Sequence, residues 1–421
     1  MLMDILKKIQ KLQDADVVKD TDKEQIVEIY KQVKKISANP DDFKANSERV
    51  LNALEIGKCS KETERQWLNY VSNIFMAFMA VQIYGNSISL SGDDVQQILE
   101  YCKREHLQKE IAASCVYSCA QRLNETMPML SYELTEEAFA EFPALAGIYG
   151  IDYYYEGKTA ENITKNCPFC GATGDEVIPY YCSPQLLKLN HNSFFPPAKL
   201  WMKCNCCKNY YTYNFPLTRV DVINGHYTKN MNAENLSVRY SLECYNSIFN
   251  RLKALTQGKD YLEIGIGNGE MLAVAQEFGY HVDAVEICRE DCERVSAVLN
   301  VDVKWCDIVN YITEKQYDII IMGDVFEHVA DPVRVLRKVY GMLKDDGVLW
   351  LSTPNYNSAY ARMERFSHVM WHELNHYTYV SCESIEMLLR SLGMEIIHYD
   401  ISSRYRGSME LFIKKVHPSL K

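Results

Sequence analysis

This chain of 421 residues contains no long unbroken apolar run and no excess of basic charge. Its most apolar window, Gln66–Gly85, is interrupted by Asn69, Ser72, Asn73 and Gln82, so it reads as a buried helix and not as a membrane span. Met1–Gln10 is amphipathic and Lys-bearing, without the apolar centre of a secretion signal. A net charge of −11 argues against a broad phosphate-binding face, which rests on clustered Lys and Arg, so nucleic acid is not an expected partner. The fifteen cysteines are too irregularly spaced for a secreted disulfide framework, and a reduced, cytoplasmic setting is expected. A fixed-period repeat is also missing, which argues against a helical-repeat array.

With 47% apolar residues, the chain can bury a large core distributed over two or three domains. Residues 1 to about 125 read as helical, with apolar spacings of three and four in Ile26–Val33, Val50–Leu54, Trp67–Ile83, Val95–Tyr101 and Ile111–Leu123. Asn39-Pro40, Gly57, Gly85-Asn86 and Gly92 separate these stretches. The expectation is an accessory helical domain over 1–150, suited to a protein partner or self-association, with a lid over the downstream site as the alternative. From about Tyr153 to Pro216, Tyr, Cys, Pro and Asn dominate, with strand-like Glu176–Tyr181 and Leu200–Lys203. This defines a second region, 151–234. Strands and helices then alternate over 235–421. Strands are predicted at Tyr261–Ile264, His281–Glu286, Val303–Cys306, Tyr317–Met322, Gly347–Ser352 and Glu395–Asp400. Helices are predicted at Met271–Phe278, Asp291–Leu299 and Pro332–Leu343. That order implies an α/β, doubly wound parallel sheet with its ligand at the carboxyl ends of the strands.

Cys167-Pro-Phe-Cys170 and Cys204-Asn-Cys206-Cys207 form two tight knuckles. Paired knuckles supply four thiolates for a tetrahedral, closed Zn²⁺ site, and Cys167, Cys170, Cys204 and Cys207 are the expected ligands, with Cys206 and Cys182 as spares. Free cysteines or an iron–sulfur cluster are the alternatives. Strand-like residues after both knuckles favour a structural zinc ribbon.

Between Tyr261 and Glu270 the chain reads YLEIGIGNGE, an apolar strand that runs into alternating glycines. Gly265, Gly267 and Gly269 let the backbone turn sharply and approach a ligand without a Cβ in the way. Glu263, near the strand's carboxyl end, is suited to orienting the loop and a ligand ammonium. A dinucleotide fingerprint would need glycine at position 270, where Glu270 stands. The E-x-G-x-G-x-G pattern instead resembles the first motif of class I S-adenosylmethionine (SAM)-dependent methyltransferases. The resemblance continues in order through Glu286 in HVDAVEI, Asp307 in VKWCDI, YDIIIMGDVFEHVADP, GMLKDDGVLWLSTPN and the closing SLGMEIIHYD and GSMELFIKK, over roughly 235–416. It implies a Rossmann-like seven-stranded sheet. It also implies SAM as cofactor, Glu286 on the ribose hydroxyls, Asp307 at the adenine amino group and Asp324 among the cofactor-binding residues. Read by themselves, Glu286 is also compatible with a solvated strand end, and Asp307 with a helix N-cap. Together with the knuckles, and with WMKCNCCKNYYTYNFP, the chain is similar to methyltransferases bearing an N-terminal zinc ribbon, a group that acts on sugars and glycans. Residues 1–150 lie outside that resemblance.

Methyl transfer is an in-line displacement from a sulfonium, and a hydroxyl acceptor benefits from a general base. His328, after the fourth strand, and His376, in WHELNHYTYVS, are the candidates, each with a packing role as the alternative. His372-Glu373-Leu374-Asn375-His376 also spells H-E-x-x-H, which on a helix would bind zinc. The aromatic and β-branched residues that follow make a poor helix, so a metalloprotease is not expected, and a metal held by His372 and His376 beside the methyltransferase site stays as an alternative. The leading expectation is a SAM-dependent methyltransferase acting on a hydroxyl or amine of a sugar, nucleotide-sugar or glycan. The alternatives are an RNA or protein methyltransferase guided by the ribbon, and an inactive SAM-binding scaffold.

Overall fold

The computed structural model describes residues 123–148, 151–155, 162–185, 195–215 and 242–416, with scattered helical positions between 113 and 121. The helices predicted upstream of residue 113, and the boundary placed at 234/235, lie outside the described residues. The chain divides into two compact units, Met1–Thr159 with Pro179–Leu200, and Ala160–Ile178 with Trp201–Lys421. The region read as 151–234 is thus shared between the units, and Cys167, Cys170, Cys204 and Cys207 all fall in the second.

In the first unit, helix α1 (Pro128–Glu141) begins with a proline in its first turn, where the missing N–H costs nothing. It buries Leu134 and Phe139. Tyr153 and Tyr155 meet the Phe139 ring edge-on, and the Tyr155 hydroxyl donates to Glu136 Oε2 at 2.7 Å.

The second unit is built on a small sheet and a large one. In the small sheet, β1 (Ala198–Cys204) pairs antiparallel with β2 (Tyr210–Thr212). The large sheet begins with β3 (Asp260–Ile264), β4 (His281–Glu286), β5 (Val303–Trp305) and β6 (Tyr317–Gly323). It continues with β7 (Leu343–Pro354). Then β8 (Thr378–Tyr379) pairs antiparallel with β2 in the small sheet, Thr378 opposite Tyr211 and Tyr379 opposite Tyr210. Finally β9 (Met394–Ile401) and β10 (Ser408–Lys415) complete the large sheet.

The seven-stranded order is β9-β10-β7-β6-β3-β4-β5. β10 runs antiparallel to both its neighbours and the sheet's other pairings are parallel, so the sheet is mixed. Ile319–Met322 are all buried, as a central strand covered on both faces requires. Helices α2 (Leu242–Leu255), α3 (Glu270–Glu277), α4 (Arg289–Leu299), α5 (Pro332–Met342) and α6 (Cys382–Ser391) accompany the strands. Phe249 of α2 stacks on Tyr261 of β3 within one core cluster. β7 starts four residues before the predicted Gly347. Its pairing with β6 shifts register between Leu343 and Val348, which accommodates the Lys344–Asp346 turn chemistry inside the strand. The chain order reverses between β3 and β6, and this topological switch point leaves a crevice at the strands' carboxyl ends.

Candidate active site

A cavity of about 720 Å³ occupies that crevice. Its floor is the glycine turn after β3. Gly265, Gly267 and Gly269 have φ of +77°, +50° and +82°, the left-handed region that only glycine enters cheaply. A Cβ on Gly265 would lie 2.4 Å from Val325 Cγ2, and one on Gly269 would lie 2.8 Å from Val295 Cγ1. Gly267 faces open space, so a ligand can approach its backbone. Arg294 of α4 donates to the carbonyls of Gly267 and Asn268, at 3.1 and 3.4 Å, and pairs with Asp291.

Glu286 ends β4 against this turn. Its Oε2 accepts from the Ile266 N–H at 3.0 Å, and its Oε1 from the N–H groups of Ile287 and Cys288 at 2.7 and 2.8 Å. Burial raises its pKa, against the lowering effect of those amides. A carboxylate offers about four lone-pair sites, so this residue shapes the turn while retaining capacity for a ligand hydroxyl. Glu263 is buried on β3 and accepts from the Tyr261 hydroxyl at 2.8 Å; burial pushes its carboxyl up to about 8. Asp324 has φ +57°, accepts from Ser352 Oγ at 2.9 Å and pairs with Arg404 Nη2 at 3.1 Å. Asp307 does not line the cavity. Its carboxylate accepts from the Val309 N–H and caps the turn after β5, which is the local role its sequence also allowed.

The same cavity carries two histidines. His328 and His376 both line the cavity and stand edge to face, with ring centroids 4.6 Å apart. His328 Nδ1 lies 2.9 Å from the Asn375 carbonyl, and His376 Nδ1 lies 2.7 Å from the Tyr379 hydroxyl. Glu327 is buried between them and β7. Thr353 Oγ1 donates to its Oε2 at 3.0 Å, and burial followed by the nearby Asp324 charge raises its carboxyl to about 8. The H-E-x-x-H segment is not a helix: Val369–His372 is a 3-10 turn and Thr378–Tyr379 is strand. His372 Nε2 contacts the Phe366 carbonyl at 2.8 Å instead of sharing a cluster with His376.

The cavity wall sets Glu263, Glu286, Asp324 and Glu327 against Arg404, an acid-rich lining that fits a ligand bearing a sulfonium and an ammonium. Glu327, Tyr379 and Arg404 were not singled out from the sequence. Glu327 had a signal, its place directly before His328. Arg404 had none, since it comes from the loop between β9 and β10.

Away from the cavity, the four cysteine sulfurs of the knuckles lie within 4.8 Å of one another, with Cys167–Cys207 and Cys170–Cys204 each at 3.5 Å. Thiolates tetrahedral about zinc, at about 2.3 Å from it, stand about 3.8 Å apart. The donor set therefore fits that ion. Backbone bonds close each turn: Gly171 N–H to Cys167 O at 2.8 Å, and Cys204 N–H to Asn209 O at 2.9 Å. Cys206 is exposed and outside the group.

Residues 239–399 match the family model described as a methyltransferase domain. This stretch is a class I SAM-dependent methyltransferase domain with a Rossmann-like fold. Among curated proteins, the chain is similar to a ubiquinone biosynthesis O-methyltransferase of Actinobacillus pleuropneumoniae, 28% identical over 109 residues, covering 23% of this chain and 47% of that protein. It is also similar to (S)-tetrahydroprotoberberine N-methyltransferase of Eschscholzia californica, 20% identical over 173 residues, covering 38% and 49%. The chain spans about half the length of these relatives. Among solved structures, magnesium protoporphyrin IX methyltransferase of Synechocystis, with bound S-adenosylhomocysteine, aligns at a TM-score of 0.38 and 14% identity, covering 47% of this chain and 99% of that one. No helix among the described residues is long and apolar enough to cross a membrane.

Proposed function

We propose that this protein is a SAM-dependent methyltransferase that methylates a hydroxyl of a sugar, nucleotide-sugar or glycan. The observation that carries the reading is one cavity lined both by the glycine turn with Glu286 and by the His328–His376 pair. SAM lies against the glycine turn, with Asp324 supplying negative charge toward its ammonium and Glu263, raised to about 8 by burial, ionising as the cation binds. Asp307, expected at the adenine, caps the turn after β5 through the Val309 N–H. The acceptor sits against the histidines, where its proton is removed and its oxygen is aligned with the methyl carbon. The relatives named O-methyltransferases support an oxygen acceptor, and the sugar class rests on the likeness to zinc-ribbon methyltransferases.

The knuckles hold a structural Zn²⁺ through Cys167, Cys170, Cys204 and Cys207, with no open position for chemistry. The region over 1–150, read as helical from the sequence, is a docking or self-association element. The test is calorimetric titration with SAM and S-adenosylhomocysteine, followed by transfer of labelled methyl to panels of nucleotide-sugars, phenols, proteins and RNA. Absence of SAM binding sinks the enzyme reading, and transfer confined to another panel replaces the acceptor class.

A further inference from the structure

A ring nitrogen from each of His328 and His376, together with a carboxylate oxygen of Glu327, lie within 4.8 Å of one another at the cavity wall. Hydrogen bonding fixes the tautomer of both rings. A backbone carbonyl can only accept, so His328 Nδ1 carries the proton it donates to Asn375 O, and the lone pair is on Nε2. The Tyr379 hydroxyl gives its single proton to the Met370 carbonyl. Its oxygen therefore accepts from His376 Nδ1–H, and that ring too has its lone pair on Nε2. Two imidazoles each anchored through Nδ1 have the supporting contacts that metal-binding histidines use.

Glu327 is braced in the same way. Thr353 Oγ1 donates to Oε2, and the Tyr377 N–H donates to its backbone carbonyl at 2.7 Å. The turn carrying Glu327 and His328 is thereby joined to the segment carrying His376 through both the Asn375 and the Tyr377 backbone. All three donors belong to one frame.

We infer that Glu327, His328 and His376 bind a divalent cation that orients and activates the acceptor hydroxyl. Two nitrogens and one oxygen suit zinc, manganese, cobalt or iron, and leave coordination positions open toward the cavity. A hydroxyl bound to such an ion gives up its proton to water near neutral pH. The resulting oxygen attacks the SAM methyl carbon, the C–O bond forms, and the C–S bond breaks with its electron pair passing to sulfur. The sum is alcohol plus SAM to methyl ether, S-adenosylhomocysteine and a proton. This deepens the methyltransferase reading and rests on it for the chemistry, but not for the ion.

The test uses the full chain. Mn²⁺ favours oxygen and nitrogen donors over thiolates, so titration followed by the electron paramagnetic resonance of the free ion reports this site apart from the cysteine clamp. Binding is expected in the parent protein, and at least about 10-fold weaker in both His376→Ala and His328→Ala. Co²⁺ loading is expected to show thiolate charge-transfer bands from the clamp, and a second set of weaker bands without thiolate character that only the histidine variants lose. Variants that still bind SAM calorimetrically count as folded. If the parent binds SAM yet takes up no Mn²⁺ and shows only thiolate-bound Co²⁺, the ion is rejected while the methyltransferase reading stands. Mn²⁺ binding unchanged by both substitutions rejects the site. Failure to bind SAM overturns the functional reading alone.

Discussion

Trp201 lies flat on Tyr379, with ring centroids 4.6 Å apart and planes 21° from parallel. Trp201 belongs to the strand that ends at Cys204, and its indole N–H donates to the Trp371 carbonyl at 3.1 Å. Tyr379 is the residue whose hydroxyl meets His376. The β2–β8 pairing and the Thr212 N–H to Tyr377 O bond, at 2.8 Å, run alongside. The knuckle hairpin is therefore packed against the backbone that carries His376, and a change at one is transmitted to the other through a dense aromatic contact.

Cys204→Ser is expected to abolish stoichiometric zinc and to destabilise the protein by on the order of 4 kcal/mol or more, because a structural ion contributes directly to folding. Metal analysis and chemical unfolding check this. Zinc content unchanged from the parent would reject the clamp.

Gly265→Ala combines an unfavourable φ with a clash on Val325, whereas Gly267→Ala has the φ cost alone. We expect the first to lose about 1–3 kcal/mol of stability beyond the second. SAM titration is expected to be weakened by both, since each alters the turn that receives the ligand. Equal stability of the two variants would remove the Val325 contact from the explanation.

Glu263 predicts opposite pH trends for stability and for ligand binding. Its carboxyl, ordinarily near 4.5, is raised to about 8 by burial, so the fold favours the protonated form. The resulting stabilisation is complete below 4.5 and is lost as pH rises through about 8. A cationic ligand favours the ionised form, so SAM affinity should rise over the same interval. Glu263→Gln should flatten both profiles, followed by thermal unfolding and calorimetry from pH 5 to about 9. A pH-independent SAM affinity in the parent contradicts a charge contact at this residue.

Tyr379→Phe retains the ring on Trp201 but removes the acceptor of His376 Nδ1–H. Transfer activity is expected to fall about 10- to 100-fold in kcat, with KM for SAM little changed. Steady-state kinetics on the acceptor found in the panels checks this. A loss confined to KM for SAM would place Tyr379 on the cofactor side instead.

What was legible in the sequence was local. Alternating glycines after an apolar strand announce a left-handed turn, and Gly265, Gly267 and Gly269 all adopt positive φ. The strand β4, ending at Glu286, runs over the predicted His281–Glu286, because apolar runs and their polar stops are short-range signals. The two knuckles announce a four-sulfur cluster, because C-x2-C spacing brings two sulfurs together whatever follows. Asp307 shows the limit of such reading: an acid after a strand can face a ligand or cap a turn, and only the path of the backbone decides.

By itself, then, the sequence determined the α/β alternation, the ligand-approach turn and the sulfur donor set, since each depends on neighbours a few residues apart. The tertiary structure decided the rest. Thr353 braces Glu327, Asn375 orients His328, Arg404 pairs with Asp324, and the knuckle strand stacks on Tyr379. Such contacts join residues 26 to 178 positions apart, and no local pattern encodes which loops the sheet will bring together. The histidine pair and the glycine turn share one cavity only because strand order and register place those loops at one end of the sheet.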